Sequence, residues 1–126
     1  YSDTGDHHLN NKTLAQRLLD ALLEGVRSAG YSPVNRGIRS DKYKVEYLPF
    51  THFYGFDRTC SECTRLMTLG NNPMSKNRGQ WTAGALVEVV FLSNPQDVQF
   101  LQRPDAVDII ARGLAQGILN YFGEQQ

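Results

Sequence analysis

The chain has 126 residues, enough for one domain with a modest core. Thirteen Lys and Arg balance thirteen Asp and Glu, which excludes the basic footprint of a nucleic-acid binder or of a protein held to an anionic membrane. No apolar run approaches the ~20 residues of a membrane span, and two cysteines, Cys60 and Cys63, are too few for a disulfide framework.

Residues 1–10 are polar and read as a loop. The start at Tyr1 rather than Met is expected of a processed product or a fragment, so no targeting segment can be read from this end. Asn11 is placed to cap a helix whose apolar face is Leu14, Ala15, Leu18, Leu19, Leu22, Leu23 and Val26, spaced three and four apart, and Gly30 is suited to stop it. Residues 34–38 are turn-rich. Residues 43–48 alternate like a half-buried strand that Pro49 ends. Residues 49–83 form a long excursion, with one helical turn expected near residues 62–69; loops of this length are often functional.

Residues 85–92 are apolar except for Glu88, which predicts a strand covered on both faces. A Glu in such a strand needs a partner, because carboxylates are rarely buried without one. Ser93-Asn94-Pro95 then has the form of a helix start, so Glu88 lies toward the strand end where α/β folds place their ligands. Glu88 is therefore the candidate catalytic residue, with a buried salt bridge as the structural alternative. A short helix is expected over residues 95–101, with Pro95 at its first position, and a last helix from about residue 104 to residue 122. The expected core stripe of that helix is Val107, Ile110, Ala111, Leu114, Ile118 and Phe122. Gly113 and Gly117 weaken a helix, which predicts tight packing against a sheet. Helix, strand, strand, helix is an α/β layout.

Two stretches, Leu86-Val-Glu-Val-Val-Phe-Leu-Ser-Asn-Pro95 and Ile110-Ala-Arg-Gly-Leu-Ala-Gln-Gly-Ile-Leu-Asn-Tyr-Phe122, resemble the C-terminal half of the zinc-dependent N-acetylmuramoyl-L-alanine amidases of the Amidase_3 type. Upstream, Thr13-Leu-Ala-Gln16 resembles the start of that family's long helix, and Asn35-Arg-Gly-Ile-Arg39 the Arg-Gly-Val-Lys that follows it. The resemblance covers residues 11–48 and 84–122 and leaves residues 49–83 as an insertion. It implies an α/β fold, here a partial three-layer mixed-sheet domain with helices on both faces, with residues 1–126 as the C-terminal portion of one catalytic domain. It also implies hydrolysis of the amide between N-acetylmuramic acid and the L-alanine of the stem peptide, in a periplasmic or extracellular, cell-wall-associated protein. In the family a zinc ion polarises the carbonyl and activates a bound water. The residue at the position of Glu88 takes the water's proton and passes it to the leaving amine.

The partners implied are peptidoglycan and the N-terminal portion of the domain. The family's first two zinc ligands fall upstream of residue 1, so this chain alone is expected to lack the full zinc site. The third belongs to a His-x-Asn segment; His8-Leu9-Asn10 has that form, with His7 beside it, and neither is assigned as a metal ligand. A catalytically inactive module binding peptidoglycan or a partner, or another metallohydrolase, is the alternative reading of function. Cys60 and Cys63, spaced like half a zinc ribbon with His52 nearby, are read as a local disulfide or free thiols. Phe50, Phe53, Tyr54, Phe56 and Trp81 are read as a satellite core pinning the insertion, with sugar stacking as the alternative. Residues 49–83 also occupy a plausible place for a lid over a cleft. Arg36 and Arg39 are of the type that binds stem-peptide carboxylates, with ordinary surface charges at a helix end as the alternative, and neither is assigned to the site.

Overall fold

The computed structural model describes residues 8–40 and 83–123. The chain divides into two compact units, residues 1–12 with 39–85, and residues 13–38 with 86–126. The described residues form three helices, α1 (His8–Ser28), α2 (Pro95–Leu101) and α3 (Ala106–Gly123), and no strand. None of these helices is long and apolar enough to cross a membrane.

In the first unit the described residues place Asn11 inside α1 rather than at its cap, because the helix starts at His8. Asn11 is fully buried, and its side-chain oxygen accepts from the Gly84 backbone N–H at 2.8 Å. A buried amide needs such a partner, since leaving it unpaired costs about 1–3 kcal/mol.

The second unit is built on the apolar face of α1. Leu18, Ala21, Leu22, Leu23 and Val26 are buried along it, and Leu22 and Val26 join Phe100 and Ala106 in one core cluster. Gly30 stops the helix as expected, with φ +81°. Its N–H donates to the Arg27 carbonyl at 2.9 Å, and the Tyr31 N–H donates to the Val26 carbonyl at 3.0 Å. That pair of bonds is the Schellman arrangement, which requires a left-handed residue and therefore favours glycine.

The expected α/β domain, a mixed sheet with helices on both faces, is corrected by this architecture. Residues 85–92 carry the composition of a strand but have no strand beside them among the described residues. Strand-rich composition expresses fitness for a pleated, half-buried surface, and a ladder forms only where a neighbouring backbone supplies the other half. The segment packs on one side only: Val87, Val89 and Val90 lie against the helical core, while Leu86 and Leu92 are exposed. The other expected strand, residues 43–48, lies outside the described residues.

Helix α3 is present as expected, but its buried face is rotated from the expected stripe. Ala106, Gly113, Gly117 and Tyr121 are buried, with Ile109, Ile110 and Leu114 packed at the edge of the core. Val107, expected in the core, is 72% exposed, and Ile118 and Phe122 are exposed as well. The two glycines pack against α1, not against a sheet. A Cβ on Gly117 would lie 2.7 Å from the Leu18 Cα, and one on Gly113 would lie 3.0 Å from the Leu22 Cα. Helix backbones approach this closely only where one of the two contributes no side chain at the crossing, here α3 through its glycines.

Candidate functional site

Glu88 is exposed, not buried as its apolar surroundings suggest. With Val87 and Val89 turned to the core, the residue between them is turned to solvent. Its carboxylate is therefore open to solvent, on a segment held from both directions, by valines in the core and by a hydrogen-bonded turn at residues 91–94.

The buried carboxylate of this molecule is Asp97, at 1% exposure. It accepts from the Phe91 backbone N–H at 2.6 Å, from the Asn94 side-chain amide at 3.0 Å, and from the Tyr31 hydroxyl. Asn94 caps α2 with its side-chain oxygen on the Gln96 N–H at 3.0 Å, and Pro95 follows at the first helical position. The turn is closed by Asn94 N–H donating to the Phe91 carbonyl at 2.8 Å. Asp97, three residues after the cap, reaches back over this turn as the acidic member of a capping box does. Its signal was in the sequence as Asn-Pro-x-Asp, a spacing that marks a helix start but does not announce burial.

Tyr31 ties this turn to the end of α1. Its ring stacks on Phe100 with centroids 4.6 Å apart and planes 12° from parallel. Burial, then the hydrogen bond to Asp97 and the charge of that carboxylate, push its phenol up from 10.0 to about 12. The unfolded chain thus loses this proton first, and stability that is complete below about pH 10 should decline as pH rises toward about 12. Urea unfolding across this window should show the decline in the wild type and a flatter profile in Tyr31→Phe. Equal slopes would remove Tyr31 as the cause.

Two arginines flank the same region differently. Arg103 is committed: it donates through Nε and Nη2 to Asp105 at 2.9 and 2.7 Å, and through Nη1 to the Ala29 carbonyl at 2.8 Å. The last bond satisfies a carbonyl at the end of α1, and the first two hold the Asp105 carboxyl below its ordinary range. The Arg36 guanidinium instead lies over the Phe91 ring, 4.1 Å from its centroid.

Among the described residues no three His, Cys, Asp or Glu side chains come together as a metal site would require. The His8 side chain, His7, His52, Cys60, Cys63, the aromatics of the insertion and nearly all of residues 49–83 lie outside the described residues.

No family model matches the chain, and no solved structure matches it. A stretch of 42 residues is 48% identical to the germination-specific N-acetylmuramoyl-L-alanine amidase of Bacillus subtilis (strain 168). Part of this chain is similar to part of an amidase. The match covers 33% of the chain and 18% of that enzyme, so the chain spans less than a fifth of the curated relative it matches.

Proposed function

We propose that this chain belongs to a zinc-dependent peptidoglycan hydrolase cleaving the amide between N-acetylmuramic acid and the L-alanine of the stem peptide, in a periplasmic or extracellular setting. The observation that carries the reading is the stretch 48% identical to an N-acetylmuramoyl-L-alanine amidase. Zinc, when bound, supplies Lewis-acid polarisation of the amide carbonyl, and its ligands are residues outside those described. Glu88 is the general base: its exposed carboxylate takes a proton from the attacking water and returns it to the leaving amine. Exposure suits that task, since the group must reach substrate and solvent. The core contacts of Val87 and Val89 limit how far the backbone around it can move.

Replacing Glu88 by Gln removes the proton acceptor and keeps the shape. In the native-length protein, hydrolysis of purified sacculi should fall by about 10²–10⁴-fold, while zinc content by elemental analysis stays the same. Undiminished turnover in Glu88→Gln would overturn the assignment of the base. Wild-type protein that binds sacculi without cleaving them would overturn the enzymatic reading in favour of a binding module.

A further inference from the structure

We propose that Arg36 is a binding site for the free carboxylate of a peptide. Four observations converge on it. Arg36 is exposed, and no carboxylate among the described residues pairs with it. Its backbone is held in a tight turn: the Asn35 side-chain oxygen accepts from the Gly37 N–H at 2.7 Å, and Gly37 has φ +69°. Its guanidinium carbon lies over the Phe91 ring, 4.1 Å from the centroid. The backbone that carries the ring is itself anchored, because the Phe91 N–H donates to the buried Asp97 at 2.6 Å.

The chemistry follows from what stacking leaves open. A ring beneath the guanidinium engages its face and none of its N–H donors, which point outward in the plane. A planar fork of donors matches a carboxylate with two parallel hydrogen bonds. Because turn and ring already restrict the side chain, little rotamer entropy remains to be lost when an anion docks. Arg103 shows the contrast within the same unit, its fork filled by Asp105 and Ala29. The identity of the peptide as a stem peptide rests on the proposed amidase activity; the carboxylate preference of Arg36 rests on geometry alone.

The test is an NMR titration of the Arg36 Nε–H resonance that does not depend on turnover. Three probes are used: an acetylated L-Ala-D-Glu dipeptide, its diamide, and inorganic phosphate. The dipeptide should shift the resonance saturably, and the diamide should not. Arg36→Gln, followed through backbone amides around Phe91, should weaken dipeptide binding by roughly 10-fold or more. Arg36→Lys should fall between, having charge without a planar fork. Phe91→Leu should also weaken binding while helicity by circular dichroism is kept. Equal binding of the diamide, no loss in Arg36→Gln, or tighter binding of phosphate than of the dipeptide would each overturn the proposal. Because sacculus hydrolysis by the Glu88 variant is measured separately, the failure of either idea is distinguishable from failure of the other.

Discussion

Replacing Gly117 by alanine should destabilise the helical unit by about 2 kcal/mol, despite alanine's greater helix propensity. Two effects oppose each other. Gly→Ala in a helix interior gains about 1 kcal/mol, and forcing a methyl into a packed crossing costs about 1–3 kcal/mol or more. At Gly117 the second wins, because the new Cβ would meet the Leu18 Cα at 2.7 Å, the Arg17 carbonyl oxygen at 2.9 Å and the Leu18 N at 3.0 Å. These are backbone atoms, so no side chain can swing aside and the helices must separate. At Gly25 on the facing helix, the nearest atoms to such a Cβ are 3.8 Å away, an ordinary contact, and the propensity gain should prevail there. Gly113, with its closest approach of 3.0 Å to Leu22, should fall between. Thermal unfolding of the three alanine variants should rank Gly25 above Gly113 above Gly117. If all three gain stability alike, α1 and α3 do not cross through these glycines.

Removing the Asp97 carboxylate should cost about 1–3 kcal/mol for each buried donor that it leaves unpaired. Asp97→Ala would orphan the Phe91 N–H, the Asn94 amide and the Tyr31 hydroxyl together. It would also leave a space in a region where Phe100 and Tyr31 stack. Asp97→Asn keeps one accepting oxygen but turns an NH₂ group toward donors, and about 1–2 kcal/mol of loss is expected from the broken hydrogen bond. Urea unfolding should therefore order wild type above Asp97→Asn above Asp97→Ala. A loss under about 1 kcal/mol in Asp97→Ala would mean that water or other groups replace the carboxylate at little cost. The amidase reading gives this bond a functional side. The turn that Asp97 holds lies three residues beyond Glu88, so the variant should also loosen the segment bearing the candidate base.

Much of the fold was legible in local chemistry. The four-residue spacing of Leu18, Leu22 and Val26 located α1, Gly30 located its end, and Asn94-Pro95 located the start of α2. These features act over one or two turns of chain, where the sequence places the interacting groups close together. The same locality misled at residues 85–92. An apolar run with one carboxylate resembles a central strand with a buried Glu88, yet Glu88 is exposed and the segment has no ladder among the described residues. The buried carboxylate was Asp97, whose partner Tyr31 is 66 residues away in the chain.

The face of α3 shows most clearly what only tertiary structure decided. By itself the sequence determined a helix from about residue 104 to residue 122, with more apolar residues than one face can hold. It did not decide which apolar residues lie inside, and counting large side chains favoured Val107, Ile118 and Phe122. The structure buries Ala106, Gly113 and Gly117 instead and leaves those three exposed. The physical reason is that the closest approach of two helices is set by the smallest residues at the crossing, a property of the pair that no single helix displays.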